Sequence, residues 1–67
     1  MKQIEVRAEM VRQGKKYRDM ASELRERGLD VEESDVLLIV NGKRRADDNF
    51  KKHVAAILGR PTFELFK

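Results

Sequence analysis

Sixty-seven residues, 40% of them hydrophobic and 40% charged, describe one small domain, residues 1–67, with a modest core under a densely charged surface. The absence of cysteine excludes disulfide scaffolds, thiol nucleophiles and cysteine-ligated metal centres, and the single histidine, His53, cannot build a ligand cluster. The longest apolar run, residues 36–40, falls far short of the roughly 20 residues that cross a bilayer, and no apolar leader follows Met1, so a cytoplasmic chain without a membrane partner is expected.

The net charge of +3 is unevenly divided. Residues 1–35 carry eight basic and nine acidic side chains, and residues 36–67 carry seven basic and three acidic. Such a balance permits a polyanionic partner without requiring one.

Four glycines, Gly14, Gly28, Gly42 and Gly59, divide the chain into short periodic segments. In the first, Ile4, Ala8 and Val11 recur at helical spacing, while Ile4, Val6, Ala8 and Met10 alternate as a strand would. Residue propensities favour the helix, with Gln13 as its last residue. In the second, Tyr17, Met20, Ala21 and Leu24 make one apolar helix face, and Glu23 and Arg27 have the spacing of a supporting ion pair. Gly28 ends that helix, and Leu29 and Val31 are expected to plug into the core.

The third segment, Val36-Leu37-Leu38-Ile39-Val40 followed by Asn41-Gly42, reads two ways. Its β-branched residues and the Asn-Gly pair suit a strand entering a hairpin. A helix capped by Asp30 with Glu33, or by Ser34, would instead bury Val36, Ile39 and Val40 and end at Asn41-Gly42. The fourth segment is a helix capped by Asp47 or Asp48 that buries Phe50, Val54, Ile57 and Leu58 and stops at Gly59. Pro61 opens a last short turn, in which Phe63, Leu65 and Phe66 are expected to fold over the core.

Taken in order, these pieces resemble the small helix-turn-helix regulators of the phage-repressor (Xre/Cro-like) type, over residues 4–66. Tyr17-Arg18-Asp19-Met20-Ala21-Ser22-Glu23-Leu24 is similar to the first helix of that motif, with Ala21 as the small residue at the helix crossing. Residues 36–45 resemble the end of the recognition helix and the basic loop beyond it. Residues 49–61 resemble the helix that follows. The resemblance implies an all-α, four- to five-helix bundle containing a helix-turn-helix, and it favours a helix over residues 36–40. It implies a transcriptional regulator that binds double-stranded DNA, acting as a homodimer on a two-fold site. Two features depart from the pattern. The interval from Ala21 to Asn41 is about five residues longer than is usual, and the recognition helix starts with Glu32-Glu33-Ser34-Asp35, which repels phosphate.

In that setting Lys43, Arg44 and Arg45 would lie along a phosphate strand and supply salt-dependent affinity. Asn49, Lys51 and Lys52 would meet phosphate at the start of the next helix, and Lys15, Lys16, Tyr17 and Arg18 where the motif's first helix crosses the backbone. Ser34, Asp35, Leu37 and Leu38 would face the major groove, where serine bonds several base edges, aspartate accepts from cytosine N4, and an apolar side chain meets a thymine methyl. No glycine-rich phosphate loop is present, and adjacent acids such as Asp47-Asp48 are expected when 12 acids share 67 positions. The chain is therefore not read as an enzyme, and neither cofactor nor metal is expected. The alternatives are an interaction module without DNA binding. One is an α/β fold pairing residues 4–10 with 36–40, with or without 62–66 as a third strand. The other is a helical module that binds a protein through Leu37 and Leu38.

Overall fold

The structure is a computed structural model and describes residues 6–66. Among these residues it is all-helical: α1 (Val6–Arg12), α2 (Tyr17–Glu26), α3 (Glu33–Val40), α4 (Asp48–Leu58) and α5 (Thr62–Leu65). Its radius of gyration, 10.7 Å, is that of a close-packed chain of this length. Helix α2 packs on α3 and α4, and α5 folds back against α4.

The core comes mainly from α2 and α4. Met20, Ala21 and Leu24 of α2 are fully buried, and Phe50, Val54, Ala55 and Leu58 of α4 close over them. Val6 and Met10 enter from α1, Leu65 from α5, and Val36 is the one fully enclosed side chain of α3. Tyr17, Leu29, Val31, Ile39, Val40, Ile57 and Phe66 pack around the rim.

Residues 36–40 are helical, and so are residues 6–10 and 62–65, so the α/β pairing is excluded among the described residues. The strand propensity of residues 36–40 is overridden by their two ends. At the start, Glu32 holds the cap position and its N–H donates to Asp35 Oδ2 (2.8 Å), half of a capping box formed two residues later than the Asp30–Glu33 spacing proposed. Neither Asp30 nor Ser34 serves as the cap. At the end, Gly42 takes φ +75°, and the Lys43 N–H donates to Leu38 O (2.8 Å) and the Gly42 N–H to Ile39 O (3.1 Å). This pair of bonds satisfies carbonyls that a helix end otherwise leaves open.

The connection from α2 to α3, residues 27–32, is longer than the three or four residues of a compact helix-turn-helix. It is nonetheless held at several points. The Leu29 N–H donates to Leu24 O (3.0 Å) across Gly28, and Arg25 Nη1 donates to Val31 O (3.1 Å). Leu29 and Val31 are half-buried against the core, as anchors of a long turn should be.

Two expected faces and one expected ion pair are corrected. In α1 the buried stripe is Val6, Glu9 and Met10, whereas Ala8 and Val11 are exposed; Ile4 lies outside the described residues. The stripe includes a carboxylate because Glu9 meets cations there. Arg12 Nη2 lies 2.7 and 2.9 Å from its two oxygens, Gln13 Nε2 donates to Oε2 (2.6 Å), and Arg60 Nε stands 3.5 Å from Oε1. Gln13 also donates to Leu58 O (2.8 Å), which ties the end of α1 to the end of α4. Gln13 itself lies one residue past the last helical position. In α2, Glu23 pairs with Lys15 (2.7 Å) rather than with Arg27. In α5, Leu65 is buried and Phe66 packs on the rim under Lys51, but Phe63 is 76% exposed because a four-residue helix can turn only one side inward.

Candidate nucleic-acid interface

The start of α2 is made by Lys16, a residue whose side chain cannot accept a hydrogen bond. Asp19 accepts from the Lys16 N–H (2.9 Å), but no side chain caps the first N–H groups of the helix itself. Those groups point outward with the positive end of the helix dipole. Around them lies an open groove of about 500 Å³, lined by Arg7, Met10 and Val11 of α1, Lys15, Lys16, Tyr17 and Arg18, and Glu33 from the first turn of α3. Met10, Val11 and Tyr17 give it apolar surface, and its rim has four cations against one carboxylate. Lys15 is held by Glu23, while Arg7, Lys16 and Arg18 make no ion pair among the described residues. The four candidates at residues 15–18 therefore converge with a fifth group, Arg7, which sequence reading missed. Nothing in the local pattern marks Arg7, because its place at this rim depends on how α1 packs against the start of α2.

Of the remaining candidates, Asp35, Arg44, Arg45 and Asn49 sit in a second groove, formed by the long turn, α3, the loop after α3 and the start of α4. Gly28, Leu29, Asp30, Val31, Asp35, Ile39, Arg44, Arg45, Asp47, Asn49 and Phe50 line it. Here three carboxylates face two guanidinium groups. Asp47 is engaged as the cap of α4, its Oδ1 accepting from the Phe50 N–H (2.8 Å). Asp35 is engaged twice: Oδ2 accepts from the Glu32 N–H, and Oδ1 accepts from Arg44 Nη1. The Glu32 N–H, and after it the Arg44 guanidinium, hold the Asp35 carboxyl below the usual carboxylate range, against the smaller opposing effect of burial. Asp35 is therefore charged at neutral pH and already satisfied. Reading a cytosine would require it to release a partner.

On α3, Ser34 and Leu37 are exposed and Leu38 is half-buried. Asn41 Nδ2 donates back to Leu37 O (2.8 Å). Lys43, Arg45, Asn49 and Lys52 are exposed, whereas Lys51 is half-buried with its ammonium 5.8 Å from the centre of the Phe66 ring. The basic candidates thus form two groups. At the start of α2, Arg7, Lys16 and Arg18 stand outside any ion pair among the described residues, and after α3 Arg44 is neutralised by Asp35 while Lys43, Arg45, Lys51 and Lys52 are in no such pair.

No group of histidine and acidic side chains able to hold a metal occurs among the described residues, and none of their helices is long and apolar enough to cross a membrane. No family model, no curated protein and no solved structure matches the chain.

Proposed function

We propose that the chain is a helix-turn-helix DNA-binding module, a transcriptional regulator similar in plan to the phage repressors. In this reading α2, the six-residue connection and α3 form the motif, and the protein docks by phosphate contacts at the start of α2. The observation that carries the reading is the convergence of Arg7, Lys15, Lys16, Tyr17 and Arg18 on one groove beside the first turn of α3. A phosphate there meets open main-chain N–H groups, the helix dipole and unpaired cations together. A duplex seated on this rim lies against the exposed side of α3, where Ser34, Leu37 and Leu38 are the base-reading residues. Lys43, Arg45, Asn49 and Lys52 add backbone contacts on the far side, with Lys51 behind them. So short a reading helix needs a second copy for a site of useful length, so the binding species is a homodimer on a two-fold sequence.

The test is binding to random and to selected duplexes at several salt concentrations. Lys16→Ala and Arg18→Ala should each reduce the salt slope by about 0.9 on both kinds of duplex, because each removes a phosphate contact. Arg27→Ala, at the exposed end of α2, should leave the slope unchanged. A Lys16→Ala/Arg18→Ala protein that is folded and binds with the wild-type slope overturns the reading.

A helical module that binds a protein is the second reading, and the exposure of Val11 (71%) and Leu37 (42%) favours it. Under it Leu37→Ser abolishes assembly with the partner, and no duplex is enriched in selection.

A further inference from the structure

The link between Asp35 and Arg44 spans two parts of the proposed DNA face. Asp35 sits in the first turn of α3, and Arg44 is in the loop that follows the helix, nine residues later. Neither is a core residue: the Arg44 side chain is half exposed and that of Asp35 about a quarter exposed. The pair is thus open to competition from another anion. The loop is also fixed by its backbone, since the Lys43 and Arg44 N–H groups both donate to Leu38 O (2.8 and 3.2 Å). Its position does not depend on the ion pair, so the pair has a consequence besides architecture. A guanidinium bound to a carboxylate is already neutralised, and a DNA phosphate that approaches it gains little from counterion release. The carboxylate offers Arg44 the same charge and the same oxygen acceptors as a phosphate does.

We infer that Asp35 acts as an internal competitor for DNA phosphate: it occupies Arg44, keeps that cation out of sequence-independent binding, and so restrains attachment to random DNA. This inference rests on the DNA-binding reading and assigns Asp35 a positioning role in place of base reading. It also accounts for an acidic residue on a face that would otherwise attract any duplex. Arg45, which lines the same groove, is in no ion pair among the described residues and remains the loop's available guanidinium.

The experiment compares wild type, Asp35→Asn, Arg44→Gln and the double variant on a random duplex across a decade of salt. Asparagine keeps an oxygen for the Glu32 N–H, so the start of α3 stays capped while Arg44 is released. Asp35→Ser serves the same purpose should the asparagine protein not fold. Asp35→Asn should steepen the salt slope by about 0.9, which is a change of about eightfold in relative affinity per decade of salt. Arg44→Gln in the presence of Asp35 should leave the slope unchanged, and the double variant should return to the wild-type value. A purely structural Asp35 would weaken binding without steepening the slope, and that result overturns the inference. The Arg44 side-chain N–H signals, followed by NMR without DNA, separate this failure from failure of the underlying reading. Signals that shift on Asp35→Asn, in proteins none of which binds duplex at low salt, overturn DNA binding and the proposed competition together. Normal DNA binding with an unchanged slope overturns the competition alone.

Discussion

Val36 is the single fully enclosed side chain of α3, so the attachment of the proposed reading helix can be tested at one position. Val36→Ala removes two methyl groups, each worth roughly 0.8 kcal/mol in transfer from water. It also opens a space of about 50 Å³, and at about 24 cal/mol per Å³ the unrelaxed cavity adds about 1 kcal/mol. The expected loss is therefore about 2–3 kcal/mol. For a chain of 67 residues that is a large part of a total stability of roughly 3–10 kcal/mol. Near the midpoint it corresponds to a fall in Tm of about 10–20 °C. Urea unfolding followed by circular dichroism measures the loss, and Leu37→Ala and Leu38→Ala are the comparisons. In a helix the inward set is Val36, Ile39 and Val40, and in a strand it would be Val36, Leu38 and Val40. Leu37→Ala, at an exposed position, should cost under about 1 kcal/mol, and Leu38→Ala should cost clearly less than Val36→Ala. A Leu38→Ala loss equal to that of Val36→Ala would refute the helical packing of this segment.

The other predictions concern the turn, the tail and the buried acid. Gly28→Ala should destabilise by about 1–2 kcal/mol through its φ of +94° alone, since a Cβ there meets no atom within 4 Å; a D-alanine at the same place should restore stability. Leu29→Ala should cost about 1–2 kcal/mol in denaturant unfolding, as its side chain is half-buried; a value near zero would show the long turn to be unanchored. Phe63→Ser should leave stability within about 0.5 kcal/mol of wild type, whereas Leu65→Ala should reduce it by several times that amount. Glu9 is held below the ordinary carboxylate range by hydrogen bonds from Arg12 and then Gln13, with the charges of Arg12 and Arg60 adding to them against burial. Its ionisation therefore stabilises the fold above about pH 4.3, the unfolded value, and that contribution is lost as pH falls through the lower folded value. Glu9→Gln should accordingly be less stable than wild type at pH 7, with the gap closing in thermal scans taken toward pH 2.5.

The helices of this protein are legible in its sequence because their signals are local. Gly14, Gly28, Gly42 and Gly59 end four helices at positive φ, a backbone geometry that glycine alone adopts freely, and the period of Met20, Ala21 and Leu24 or of Phe50, Val54 and Leu58 marks a buried face without reference to anything distant. Residues 36–40 mark the limit of that reading. Their side chains suit a strand, and the helix is settled by the Glu32–Asp35 cap, the bonds at Gly42 and the burial of Val36 in the core as α3 packs on α2. Tertiary structure alone decided the inward face of α1. Glu9 is a surface residue by type, and it is buried because Arg12, Gln13 and Arg60, the last of them 51 positions away, supply the partners that a desolvated carboxylate needs. It likewise brought Arg7 to the rim at the start of α2 and joined Asp35 to Arg44. Composition shows which charges a chain carries, but whether a cation is available to a ligand or already neutralised depends on the distance to its nearest acid, and folding sets that distance.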